Sequence, residues 1–238
     1  MNKGLTRRQL MQGLAACTAV PTLGLLGGCS SQSLQLLGSS FAGARTAVSG
    51  DRYGLSDDQI EALPYASLGV RIGRLAPAVL ILASIDQDEL RWASADRVVL
   101  VTRRGRLVKS VGLVRDLLGT QWASPDPLLG YPNTIPASTE SRVGRFVDLR
   151  PKDDFGVAVE SRYDTIGNET LTLLGRTRRT VVLRERISVR KWRWSGENLF
   201  WLDAASGKVW KSRQQFCPDV PPLTLEVLKP AEEPPLST

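Results

Sequence analysis

Two hydrophobic patterns divide the chain. The first is one apolar run, residues 10–26, which contains Gln12, Thr18, Pro21 and several glycines. The second begins near Ala66, where short stretches rich in β-branched residues are separated by turn residues. Residues 67–72, 78–85, 89–93 and 97–102 read as strands. The stretch 78–85 is apolar on both faces, which predicts a central strand. Arg103-Arg104-Gly105 predicts a hairpin turn that returns through 107–113. Ser124-Pro125-Asp126-Pro127 and the prolines at 132 and 136 predict a long connection. Strands resume at 143–149. Phe155, Val157, Val159, Ser161 and Tyr163 then alternate with Gly156, Ala158, Glu160 and Arg162, the pattern of a half-buried strand. Gly167-Asn168 predicts a turn into 170–174. A long strand follows from 180 to about 194, then strands at 198–203 and 208–214. From Pro218 the chain is proline-rich and is predicted to be extended, or disordered past about Leu228. Helix signals are few. Ser56 and Gln59 make a capping box with Asp57 and Asp58 in the first turn, ending before Pro64. A second short helix is predicted around residues 34–41. The fold class is mainly β: an antiparallel sandwich or open half-barrel with one or two short helices.

The N-terminal run has its own meaning. Lys3, Arg7 and Arg8 precede it without an acid, and small residues close it. A charged start, a short apolar middle and small residues before a cleavage site mark an export signal. The run is 17 residues long, whereas a spanning helix needs about 20 mostly apolar ones. Leu26-Gly27-Gly28-Cys29 resembles a bacterial lipobox, which implies that Cys29 becomes the mature N-terminus and carries acyl chains. One acyl chain holds only reversibly, so stable anchoring takes two or more; bacterial lipoproteins carry three. Ser30, in place of Asp, implies the outer membrane rather than the inner one. Thr6-Arg7-Arg8-Gln9-Leu10-Met11 also resembles a twin-arginine export signal; two arginines in any signal's positive start would read the same way. The organisation expected is a signal at 1–28, a lipidated N-terminus and Ser/Gly/Ala-rich tether at 29–53, a β-rich domain at 54–229 and a Pro-rich tail at 230–238.

Composition narrows the chemistry. The 31 basic and 24 acidic residues give +7, and the three cations of 1–28 leave +4 to the rest. That modest excess is spread along the chain and does not argue for nucleic acid. There is no histidine, so Ser-His-Asp and Cys-His catalysis are excluded and the commonest zinc ligand is absent. Of three cysteines, Cys17 leaves with the signal and Cys29 is the acylation site. Cys217 stays alone, without an internal disulfide, and is expected to be a small buried apolar residue.

Three further stretches carry a family resemblance. They are Leu63-Pro64-Tyr65-Ala66-Ser67-Leu68, then Leu100-Val101-Thr102 with Gly105-Arg106-Leu107-Val108-Lys109-Ser110-Val111-Gly112-Leu113, and third Asn198-Leu199-Phe200-Trp201-Leu202-Asp203 with Gly207-Lys208-Val209-Trp210-Lys211-Ser212-Arg213-Gln214. Together with the lipobox they resemble the group 4 capsule polysaccharide lipoproteins of the GfcB/YjbF type over most of residues 54–229. The resemblance implies a β-rich lipoprotein of the outer membrane, facing the periplasm, in a system that makes or exports capsule or exopolysaccharide. It brings no catalytic residues, cofactor or metal to carry over. Its partners would be the membrane, through the acyl chains on Cys29, and polysaccharide or export proteins. The twin-arginine-like signal and the Cys217-Pro218 pair depart from the family pattern.

Period-2 alternation on the long strand puts Val181, Leu183, Ile187 and Val189 on the core face and Arg184, Arg186, Arg190, Trp192 and Trp194 on the other. If the strand runs unbroken, two tryptophans and three arginines line an outward face suited to an acidic polysaccharide or a partner protein. A bulge near Arg190–Trp192 would instead flip the register and bury both rings, the commoner fate of strand tryptophans. The acidic pairs Asp86/Asp88 and Asp153/Asp154 fall in predicted turns, where local hydrogen bonding explains them better than metal or acid–base work. Three function classes follow: a non-catalytic accessory lipoprotein binding glycan or an export partner, a lipid or lipoprotein carrier with an apolar cavity, and a glycan hydrolase with two carboxylates in a cleft.

Overall fold

The computed structural model describes residues 53–129 and 142–231, all within the unit 31–238. The expected signal, Cys29, the expected tether and helix around 34–41, the prolines at 132 and 136 and the tail past 231 lie outside the described residues. The first element is a short helix, α1 (Asp57–Glu61), closed by the expected capping box. Ser56 Oγ accepts from Gln59 N at 3.2 Å and Gln59 Oε1 accepts from Ser56 N at 2.9 Å. Ile60 packs inward against Tyr53 and Leu228.

Two meanders follow. The first is β1 (Ser67–Ile72), β2 (Ala78–Asp86), β3 (Glu89–Ala93), β4 (Val99–Arg103) and β5 (Arg106–Val111). The second is β6 (Asp116–Trp122), β7 (Val143–Arg150), β8 (Asp154–Leu173), β9 (Arg176–Val189), β10 (Trp194–Asp203) and β11 (Val209–Gln214). The last strand, β12 (Leu223–Lys229), pairs antiparallel with β1 on one side and β11 on the other, so it joins the meanders into one sheet. The order is β5-β4-β3-β2-β1-β12-β11-β10-β9-β8-β7-β6.

The sheet's two edges, β5 and β6, are consecutive in sequence and face each other. Side chains stitch them: Leu117 N donates to Ser110 Oγ at 2.9 Å, and Thr120 Oγ1 donates to Val108 O at 3.2 Å. Ser110 Oγ in turn donates to Asp116 Oδ1 at 3.0 Å. The sheet is therefore a nearly closed antiparallel half-barrel whose edges are covered rather than left as open templates. Its concave side holds the main core, including Trp92, Leu80, Leu100, Leu117, Leu149 and Leu223. Trp92 satisfies its ring N–H on Thr102 Oγ1 at 2.8 Å.

The structure corrects four local expectations. β6 and β12 were not predicted as strands, and β12 is central, its Leu223 and Leu225 turned inward. Gly167-Asn168 is not a turn: the register shifts between Thr165 and Gly167, and β8 runs on as one strand. The hairpin turn comes later, at Leu174-Gly175, where both φ values are positive (48° and 69°), as a tight I′ turn requires. β2 is central by pairing, but Ile81 and Ile85 remain exposed. The long strand from 180 breaks in a 3-10 turn at Arg190–Trp192, and Arg193 takes a left-handed conformation, φ 47°. The expected hairpin at Arg104-Gly105 is present, with φ 51° and 80°.

Tyr53 lies flat against β1. A methyl group on Gly69 would sit 2.5 Å from its ring. Its hydroxyl donates to Glu226, which also pairs with Lys211 at 3.1 Å. Gly69→Ala is expected to unseat this ring and lower stability by about 1–3 kcal/mol in urea unfolding. Gly119→Ala, with nothing within 4 Å of the added methyl, should stay within about 0.5 kcal/mol of wild type.

Candidate functional site

The alternation of β9 puts Glu185 between Leu183 and Ile187 on the core face, and all three are fully or nearly fully buried. A buried carboxylate must be paired. Arg145, on the core face of β7 between Val143 and Val147, binds Glu185 Oε1. Arg106, the first residue of β5, donates Nη1 to Glu185 Oε2 at 2.7 Å. Its other donors hold Asp126, from the loop after β6, at 2.5 and 3.1 Å. Tyr163, Ser161 and Asn198 complete the shell on Glu185 at 2.9, 2.7 and 2.9 Å. The Arg106 guanidinium also stands 4.8 Å from the Phe200 ring centre and 5.3 Å from that of Trp122. Two arginines thus meet two carboxylates inside the half-barrel.

Burial alone would push the Glu185 carboxyl up, but Arg106 and Arg145 outweigh it and hold the group well below the ordinary carboxylate range. Burial likewise lowers Arg106, yet Asp126 and Glu185 raise it further still. Burial pushes the Tyr163 hydroxyl above its usual value. A hydrolytic general acid needs a raised pKa in a cleft; Glu185 is the opposite, an ion locked between cations. The space beside this cluster, lined by Arg106, Leu117, Arg145, Val159 and Asn198, is about 20 Å³. That is room for about one water, and far too small for an acyl chain. Two further spaces lined by core residues, beside Leu90 and Trp92 and beside Val70 and Leu80, are about 40 and 20 Å³, so among the described residues the interior is largely filled by its own side chains.

The five outward candidates do not share one face. Arg184 and Arg186 are on the outer side of β9 and both pair with Asp164, at 2.5 and 3.1 Å. Arg190 is exposed in the 3-10 turn. Trp192 and Trp194 turn back to pack against the main core, their ring centres 6.4 Å apart. The register break is the reason, a short helical turn where a bulge was the expected device. Trp192 Nε1 donates to Asp154 Oδ2 at 3.2 Å, and its ring stacks on Arg115, which also binds Asp154 and Asp219. Asp154 is thus part of an ion network, with Lys191 holding its carboxyl low. Asp153 is a left-handed turn residue, φ 49°. Asp86 pairs with Arg91 at 3.2 Å and Asp88 with Arg103 at 2.5 Å. No group of three metal-ligating side chains occurs among the described residues. Cys217 is fully buried, and burial pushes its thiol up.

On the convex side a second aromatic layer was not foreseen. Trp201 and Trp210 pack with Leu171, Leu173 and Val182. Trp201 Nε1 donates to Glu169 at 2.7 Å. Cations cover both rings, Arg178 at 3.4 Å from the Trp210 centre and Lys211 Nζ at 5.1 Å from that of Trp201. Sequence reading missed Glu185 and Arg145, although the signal was there: each is a charge on the core face of an otherwise apolar alternation.

A side-chain-filled antiparallel half-barrel is the class this fold defines. The crystal structure of the hypothetical lipoprotein YmcC from Escherichia coli (K12) shares it, with a TM-score of 0.65 and 29% identity over 86% of this chain and 99% of that one. The chain belongs to the family described as group 4 capsule polysaccharide lipoprotein GfcB, YjbF, whose model matches residues 35–228. The lipoprotein GfcB of Escherichia coli (strain K12) is 33% identical over 178 residues, 74% of this chain and 82% of the relative. YjbF of the same organism is 25% identical over 179 residues, 75% and 82% respectively. No helix among the described residues is long and apolar enough to cross a membrane.

The depressed Glu185 carboxyl has a pH consequence. Near pH 4.5, the ordinary value, the unfolded chain takes up a proton there while the folded chain does not. This group's contribution is complete above that pH and is lost as pH falls toward the folded value. Glu185→Gln is expected to cost about 3 kcal/mol at pH 7. It should also flatten the acid limb of a stability–pH profile by up to about 1.4 kcal/mol per pH unit.

Proposed function

We propose that this protein is an acylated lipoprotein of the outer membrane that holds its half-barrel on the periplasmic face and assists, without catalysis, the making or export of capsule or exopolysaccharide. The observation that carries this reading is the filled interior. Its charges are consumed by one another, so neither an acyl cavity nor a poised acid–base pair is offered inside, and the remaining chemistry is at the surface. Family membership supplies the polysaccharide system. The organisation fits: cleavage after Gly28, acylation of Cys29, a tether to about residue 53, a working domain over 54–229 and a short tail at 230–238. Three acyl chains on Cys29 would make attachment durable. Glycan or an export protein is the partner in this reading, met at the outer surface, where Arg184 and Arg186 lie on β9 and Arg190 in the turn that follows.

Deleting the gene is expected to reduce surface polysaccharide, read by acidic-polysaccharide quantification and by surface staining; unchanged output and display would remove the role. Cys29→Ser should release the protein from the membrane fraction and fail to restore polysaccharide in the deletion strain. Full complementation by a soluble Cys29→Ser protein would show that anchoring is dispensable.

A further inference from the structure

We propose that a groove on the convex side binds a carboxylated oligosaccharide, an inference that rests on the polysaccharide role argued above. The groove runs between α1, the tip of the β8–β9 hairpin and the end of β12, and its volume is about 390 Å³. That lies within the range of about 300–1,000 Å³ usual for ligand sites, and far exceeds the space inside the half-barrel. Leu173, Val227 and Leu228 give it an apolar floor for the C–H faces of sugar rings.

Its rim is cationic. Arg176, Arg178 and Lys229 line it, against one acid, Glu61, which pairs with Arg176 at 3.2 Å. Lys229 Nζ donates to the carbonyls of Glu61 and Leu63, at 3.4 and 2.5 Å, so its charge is fixed in place. Arg178 is the telling residue. Its guanidinium plane is held against Trp210, 3.4 Å from the ring centre. Its Nε is buried and has no hydrogen-bond partner among the described residues. A buried donor left unsatisfied is costly, and native structures keep few of them. Stacking fixes the plane of this guanidinium and its Nε is closed off from solvent, so a carboxylate would meet the terminal Nη1 and Nη2 groups, which can give two parallel N–H bonds. The excess of positive charge selects an acidic ligand, and the apolar floor with the polysaccharide role selects a uronic-acid chain over an acidic peptide.

The test is equilibrium titration of the purified full-length protein with tetragalacturonate, with maltotetraose as the neutral control of equal length. Tetragalacturonate is expected to bind at least about tenfold more tightly than the neutral sugar, and more weakly as salt rises. Arg176→Gln, at an exposed side chain, and Arg178→Lys, which keeps the charge but loses the fork, should each weaken binding by about three- to tenfold. Equal affinity for the two sugars, wild-type affinity in both variants, or tighter binding of inorganic phosphate or a tetraglutamate peptide would overturn the proposal. The two readings fail separately. If deletion leaves polysaccharide unchanged, the role fails. If deletion lowers it and the Arg176→Gln, Arg178→Lys protein restores it in full, the groove alone fails.

Discussion

Glu185 is a fully buried carboxylate reached by arginines from two other strands, and the architecture depends on this junction. Arg106 stands at one edge of the sheet, while Glu185 is on the fourth strand in from the other edge. Their bond crosses the seam that the backbone ladder leaves open. Gln214 on β11 reinforces the crossing, accepting from Leu107 N at 3.0 Å and donating to Gly105 O at 2.8 Å. Buried ion pairs add little net energy when replaced whole by apolar groups, but losing one partner costs about 3–5 kcal/mol. Their value here is geometric: with the two edges paired as they are, Arg106 satisfies Asp126, Glu185 and Tyr163 together.

Filling the interior in this way decides where function can be. A half-barrel that closes around lipid would need a dry cavity, and a hydrolase would need a carboxyl willing to give up its proton. This one spends its buried charges on holding itself shut. On the convex side Arg178 and Lys211 lie over Trp210 and Trp201, and the hairpin tip, α1 and β12 form a cationic groove. The helix itself belongs to that surface: Ile60 and Tyr53 cover the outer side of β1 and β12.

Much of the fold was legible. Alternation placed β1 and β3 at their observed bounds, the capping box placed α1, and Arg104-Gly105 placed a hairpin. The failures have physical causes. Pro218, Pro221 and Pro222 masked β12, although Leu223, Leu225 and Val227 alternate with Thr224 and Glu226 in the ordinary way. Gly167 reads as a turn residue, yet a bulge uses the same freedom to continue a strand. The break at Arg190–Trp192 depends on Arg193 adopting a left-handed conformation, which no local pattern announces. The candidate sites were less legible. Arg184, Arg186, Trp192 and Trp194 depend on register across that break. The groove depends on three elements far apart in sequence. Glu185 and Arg145 were visible as charges at core positions, but their partnership spans three strands.

Native-state hydrogen exchange on Arg106→Met tests the account most directly. If Arg106 closes the seam from inside, amides of residues 106–111 and 116–122 should lose protection while those in the β9–β10 pairing keep most of theirs. Protection that falls equally in every strand, or a seam that remains as protected as in wild type, would contradict it.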